Sequence, residues 1–177
     1  MAGDLDLDAY LGRIGERPPL APALEGLAAL HRAHCAAVPF ENLDILLGRP
    51  IDLDLPALEA KLVRARRGGY CFEQNTLFKA ALEALGFPVI ALAARVRAGT
   101  TGVRPRTHML LRVDLAEGTF LADVGFGGDG LLHPIPLAEG TETWVGFTGQ
   151  RLRLLEVLAN VFGLVFPPGT RFRRPEF

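Results

Sequence analysis

The chain is 177 residues long, about one domain's worth, and is 49% hydrophobic and 22% charged. That balance excludes a wholly disordered or collagen-like chain. Nineteen basic against twenty acidic side chains leave a net charge of −1, which argues against a nucleic-acid binder. The two cysteines, Cys35 and Cys71, form no CxxC pair, so a disulfide scaffold and a Cys-based zinc site are not expected. The segment Met1 to Leu11 carries Asp4, Asp6 and Asp8 and lacks the basic region of a signal peptide. No apolar run approaches the roughly 18–20 residues of a membrane span, so neither a membrane nor a nucleic-acid partner is expected, and a cytoplasmic location is.

The first 86 residues read as helical. Leu5, Leu7, Tyr10, Leu11 and Ile14 outline a short amphipathic helix, broken by Pro18, Pro19 and Pro22. Pro22 suits the first turn of a second helix with Leu24, Leu27, Ala28 and Leu30 on its apolar face. Val38-Pro39-Phe40 ends it. A third helix opens near Asp54-Leu55-Pro56, with Asp54 as cap, and runs to about Arg66. Arg67-Gly68-Gly69 is a sharp break, and a fourth helix runs from Cys71 to Leu85, stopped by Gly86 and Pro88.

From Phe87 the period becomes that of strands. Val89 to Arg97, Thr107 to Val113 and Thr119 to Val124 are predicted strands, the last two joined by a turn at 114–118. Helices followed by strands make an α+β pattern. The charge then reverses: residues 1–143 are net −4, and residues 144–177, with five Arg and two Glu, are net +3. That tail holds one helical candidate, Leu152 to Phe162. The chain divides into a helical part (1–86), a β part (87–143) and a divergent tail (144–177).

The sharpest local feature is Arg67-Gly68-Gly69-Tyr70-Cys71-Phe72-Glu73-Gln74-Asn75. Two glycines permit an abrupt turn with close backbone approach before a cysteine that begins a helix. A thiol at a helix N-terminus faces unpaired N–H groups and the positive end of the dipole, an environment that favours the anion. A nucleophilic thiol usually also needs an imidazole partner. His108 and Asp123 lie on the two strands flanking the 114–118 turn. If they oppose each other across that hairpin, their Cβ atoms lie about 4.5–5.5 Å apart on one face. The hairpin midpoint then falls between residues 115 and 116, and a one-residue slip would flip the face. A carboxylate such as Asp123 inside an apolar strand is costly unless paired. Nucleophile, base and orienter would then be Cys71, His108 and Asp123. Val124-Gly125-Phe126-Gly127-Gly128 follows at once; its glycines let backbone approach a ligand, but it is neither a Walker loop nor a dinucleotide fingerprint. Cys35, in an Ala-rich helical stretch, is read as structural.

Taken together, Val38-Pro39-Phe40-Glu41-Asn42-Leu43, the Arg67 to Asn75 motif, Arg106-Thr107-His108 and Ala122 to Gly128 resemble the arylamine N-acetyltransferase family, over about residues 4–140. The resemblance implies an N-terminal helical bundle followed by an antiparallel β-barrel-like domain on a cysteine-protease-like core. It implies ping-pong transfer from acetyl-CoA, as co-substrate and without a metal, through Cys71 to a small arylamine, arylhydroxylamine or hydrazine. By position, Cys71 is the nucleophile, His108 the base and Asp123 the orienter. Phe40, Thr107 and Phe126 match acceptor-binding positions, and Gly125, Gly127 and Gly128 match a loop near coenzyme A. Family members carry a further C-terminal α/β lid domain that is not recognisable here. The 144–177 tail does not follow the family pattern and is read as a truncation or a change of reading frame, so the activity is expected intact or impaired. Three other readings stay open: an amide synthase using a carrier-bound acyl chain, a Cys-dependent thioester or amide hydrolase, and a non-catalytic remnant.

Overall fold

The computed structural model describes residues 5–96, 105–128 and 130–138, together with the strand backbone of 142–145 and 150–153. Helices α1 (Leu7–Ile14), α2 (Leu24–Ala37), α3 (Leu43–Leu46), α4 (Leu55–Leu58) and α5 (Cys71–Ala84) precede strands β1 (Val89–Ala94), β2 (His108–Leu115), β3 (Gly118–Ala122), β4 (Ile135–Pro136), β5 (Glu142–Val145) and β6 (Gln150–Arg153). Capping sets the helix starts. Asp6 accepts from the Ala9 N–H at 3.0 Å, and Asp54 accepts from the Ala57 N–H at 2.8 Å. Proline sits just inside α4, as expected, but the helix does not continue regularly: it widens into a π-helical turn over Glu59–Arg64. Arg13, buried on α1, meets the end of this turn by donating to the Leu62 carbonyl at 3.0 Å and the Arg66 carbonyl at 3.3 Å. The helix α2 starts at Leu24, two residues after Pro22, so that proline precedes the helix instead of opening it. The short α3 has too few residues to show a period and is absent from the sequence-based expectation.

Among the described residues the main sheet is antiparallel and open, in the order β1-β2-β3-β4, with β5 and β6 paired apart from it. The strand pairing at Gln150–Arg153 takes in Leu152 and Arg153, where the apolar spacing predicts the start of a helix; the rest of that candidate lies outside the described residues. The helix α5 lies against β1 and β2. Leu77, Phe78 and Leu82 of α5 are fully buried against Leu27, Leu30, Leu58, Leu62 and Leu111. Each such side chain contributes about 2 kcal/mol of burial. No described helix is long and apolar enough to cross a membrane.

The β2–β3 register corrects the sequence reading in a specific way. Leu115 pairs with Gly118 and Leu111 with Ala122, which puts the turn at Ala116 and Glu117. His108 is therefore not directly opposite Asp123, as a midpoint between 115 and 116 requires. Moving the midpoint by one whole residue changes each cross-strand partner by two, and a change of two preserves the face. His108 and Asp123 become diagonal neighbours on one side of the sheet, still within reach of an imidazole and a carboxylate.

Two histidines of α2 are fully buried in the helical layer. The Tyr10 hydroxyl lies 2.8 Å from His34 Nδ1, and the Phe78 ring meets both imidazoles edge-on, its centroid 6.1 Å from that of His31 and 5.4 Å from that of His34. Burial pushes His31 down to about 4 and His34 to about 3. An unfolded imidazole titrates near 6.5, so between these values the unfolded chain binds more protons and stability falls as pH drops. At pH 5 each histidine accounts for a loss of about 2 kcal/mol. Thermal midpoints measured from pH 7 to pH 5 should thus fall by several degrees, and by less in His34→Gln; an identical pH slope in that variant would contradict the account.

Candidate active site

The start of α5 is built by a close approach of two chain segments. Phe40 and Gly69 form an isolated parallel bridge, with the Glu41 N–H donating to the Gly69 carbonyl at 3.1 Å. A Cβ on Gly68 would stand 2.0 Å from the Pro39 carbonyl oxygen, so only glycine fits that approach. Glu73 then accepts from the Tyr70 N–H at 3.1 Å, and Cys71 becomes the first residue of the helix. The Glu73 carboxylate is buried, which requires a cation. Lys61 Nζ supplies it at 2.7 Å and also reaches Asp44 at 2.8 Å. Arg67 joins the same group through Asp44 at 2.9 Å and Glu41 at 2.9 Å. Hydrogen bonds from Lys61 and then Arg67 hold the Asp44 carboxyl down at about 2. The motif's charged residues thus brace α5 against the 41–44 segment.

The structure brings Cys71, His108 and Asp123 together, with 7%, 3% and 1% of their surfaces exposed. His108 opens β2, and Asp123 lies one residue beyond the end of β3. His108 Nε2 is 2.6 Å from Asp123 Oδ2. The other carboxylate oxygen accepts from Asn75 Nδ2 at 2.9 Å and from the Gly125 N–H at 3.0 Å. Burial alone would lower the affinity of His108 for a proton. The hydrogen bond and charge of Asp123, with help from Cys71, outweigh it and raise the imidazole to about 9. The stabilisation from this pairing is complete below the unfolded value near 6.5 and fades as pH rises through about 9. Cys71 Sγ lies 3.7 Å from the Thr107 carbonyl. A Cβ on Gly125 would be 2.7 Å from Cys71 Cα, so the loop after Asp123 lies flat on the start of α5.

A cleft of about 700 Å³ lies beside this centre, lined in part by Val38, Phe40, Phe126, Gly127, Gly128 and Leu131. Of the sequence-derived contact residues, Phe40, Phe126, Gly127 and Gly128 face it. Thr107 and Gly125 do not; both pack on Cys71 instead. The Phe126 ring stands edge-on to His108, with centroids 5.2 Å apart. Among the described residues no group of three or more His, Cys, Asp or Glu side chains is placed to hold a metal ion. Cys35 is not buried as a core thiol would be: it is exposed and lines the cleft, where desolvation and the nearby Asp123 charge push its thiol up to about 12. Asn75 escaped the sequence reading as a functional residue, although it lies one helical turn after Cys71 on the same face. It donates to both Asp123 and the Met109 carbonyl and accepts from the Val124 N–H at 3.1 Å.

A family profile described as N-acetyltransferase matches residues 23–160. The chain belongs to the arylamine N-acetyltransferase family. It is 52% identical over 132 residues to the arylamine N-acetyltransferase / N-hydroxyarylamine O-acetyltransferase of Salmonella typhimurium, covering 74% of this chain and 47% of that protein. It is 49% identical over 142 residues to the arylamine N-acetyltransferase of Mycolicibacterium smegmatis, covering 77% of this chain and 52% of the relative. Among solved structures, the Mycobacterium abscessus arylamine N-acetyltransferase superposes with a TM-score of 0.77 at 40% identity, over 94% of this chain and 55% of that one. The Mycobacterium marinum enzyme in complex with CoA gives a TM-score of 0.73 at 43% identity, over 77% and 52%. The chain thus spans about half the length of the curated relatives it matches.

For this family member the contact between Gly125 and α5 is open to a direct check. Gly125→Ala forces a Cβ onto Cys71 Cα and should cost about 1–3 kcal/mol, with slower alkylation of Cys71 by iodoacetamide. Gly128→Ala, where an added Cβ meets nothing within 4 Å, should leave the thermal midpoint unchanged. Equal midpoints for the two variants would show that the close approach is relaxed at little cost.

Proposed function

We propose that the chain carries the acyl-transfer centre of an acetyl-CoA-dependent arylamine N-acetyltransferase, with Cys71 as nucleophile, His108 as base and Asp123 as orienter. The observation that carries this reading is the 2.6 Å contact of a buried imidazole with a buried carboxylate, beside a thiol at a helix start. Cys71 Sγ, its proton held by His108, attacks the acetyl carbonyl of acetyl-CoA. The bond to the coenzyme sulfur breaks, and the departing thiolate takes the proton from His108. The amine or hydrazine nitrogen of the acceptor then attacks the thioester. Its proton passes to His108 as Cys71 leaves, and the acetyl amide is released. Asp123 holds the imidazole in place and offsets its positive charge throughout.

The apolar cleft beside the centre suits a flat aromatic acceptor, and Phe40 and Phe126 are its proposed contacts. Gly127 and Gly128, open at the cleft, are proposed to lie along coenzyme A; the Mycobacterium marinum relative in complex with CoA supports a coenzyme site in this family. Thr107, through its carbonyl near Cys71 Sγ, is proposed to flank the reacting acetyl group, and Gly125 to bring the coenzyme loop onto the nucleophile. We read the helical layer with its sheet as a cysteine-protease-like core, the nucleophile at a helix start and the base on a strand, and the sheet as belonging to a barrel-like domain. The division at residue 86 is proposed on the change from helices to strands; that at 143 rests on the charge reversal alone, and β5 (Glu142–Val145) runs across it.

The test is rapid mixing with p-nitrophenyl acetate and with acetyl-CoA, with and without a hydrazine acceptor. Cys71→Ala should abolish the burst of leaving group, while Cys35→Ala retains it. Asp123→Asn keeps the shape but removes the charge, and acylation should fall by about 10³–10⁴-fold. Release of coenzyme that depends on the acceptor supports transfer. Release independent of it would identify a hydrolase, and equal loss from both cysteine variants would defeat the assignment of Cys71.

A further inference from the structure

The Asp123 carboxylate can orient His108 only if the main chain that carries it is fixed, and at residue 123 the sheet no longer does this. The β3 ladder ends at Ala122. The peptide groups beyond it are buried and need partners from elsewhere. Val124 N–H finds Asn75 Oδ1, and Gly125 N–H finds the Asp123 carboxylate. The carbonyl and N–H of Asp123 itself face one atom, Nε2 of His31, at 3.1 Å and 3.3 Å, from a helix 92 residues away in sequence.

We propose that His31 is a positioning residue for acyl transfer: its imidazole, donating from Nε2 to the Asp123 carbonyl, fixes the backbone from which the Asp123 carboxylate reaches His108. The proposal rests on the transferase reading above. Nothing in the sequence singled out His31; it acts through Asp123. A neutral imidazole nitrogen either donates or accepts, so Nε2 serves one of the two main-chain atoms. The shorter contact, to the carbonyl, assigns the hydrogen to Nε2, and Nδ1, 3.9 Å from Cys35 Sγ, is left to accept from the thiol. Burial is the largest influence on the ring's charge; Asp123 favours protonation, and His133 and Arg32 oppose it. The balance leaves the imidazole neutral at pH 7. The ring is fully buried and meets the Phe78 edge.

A displacement of about 1 Å at the reacting geometry costs on the order of a hundredfold in rate. His31→Leu keeps the apolar volume and removes the donor; His31→Gln keeps a donor at the Nε2 position. We expect His31→Leu to slow Cys71 acylation by p-nitrophenyl acetate about tenfold to a hundredfold. The burst amplitude and KM should stay unchanged, and His31→Gln should recover most of the rate. Equal loss in both variants, or no loss in either, would overturn the proposal. A second measurement needs no variant: long-range nitrogen–proton NMR of the wild-type chain at pH 7 should find His31 neutral with hydrogen on Nε2. A charged ring, or hydrogen on Nδ1, would overturn the proposal even if His31→Leu fails to fold. Iodoacetamide alkylation of Cys71 should follow the same order in the variants and requires no acyl donor. A wild-type chain that is alkylated normally but not acylated would defeat the transferase reading, and alkylation would still decide the role of His31.

Discussion

The structure turns on one buried carboxylate. Asp123 is almost wholly removed from water, and an ionised group there is tolerated only with donors on both oxygens. One oxygen takes the His108 imidazole, and the other takes Asn75 and the Gly125 amide. Those partners come from β2, α5 and the loop after β3, so satisfying a single charge fixes the mutual placement of helix and sheet. The polar cluster would be unstable half-formed, because any partner removed leaves a desolvated charge behind. The arrangement that the fold needs for electrostatic balance is also the one that leaves the remaining face of the imidazole for a thiol.

A second group of charges does comparable work at the other end of the site. Lys61 lies between Asp44 and Glu73, with Arg67 adding Glu41. Here the carboxylates are on the helix start and the 41–44 segment, and the cations on the π-helical turn and the chain just after it. Lys61 lies within the π turn, and widening a helix changes the direction in which its side chains leave it. The first cluster meets the Cys71 side chain through His108, and the second fixes the start of the helix that carries it.

Much of this was legible in the residues. The glycine pair before Cys71, the cap at Asp54 and the stop at Gly86 are local signals, and local structure follows them. The pairing of His108 with Asp123 was legible despite a misplaced hairpin midpoint, because a two-residue change of partner keeps both side chains on the same face. The irregular segments were not. The four residues of α3 show no period, and the π turn is held by tertiary contacts, such as the bonds from Arg13, that no helix-length pattern records. Asn75 was visible only as part of a motif, and His31 only as a polar interruption in an apolar helix. Both act across long sequence separations, through backbone atoms that carry no residue signature.

The peptide groups at 123–125 have exchanged the mutual support of a strand ladder for side chains reaching in from α2 and α5. A ladder can fray from its end one bond at a time. The bonds of Asp123 and Val124 cannot, because His31 and Asn75 are anchored in two different packed helices, and Gly125 in turn bonds to the Asp123 carboxylate. Opening the first two requires α2 or α5 to part from the sheet, against which much of the hydrophobic core is packed. Loss of the arrangement around Asp123 and loss of the fold are then a single cooperative event, and exchange of the Val124 amide reports the stability of the whole unit.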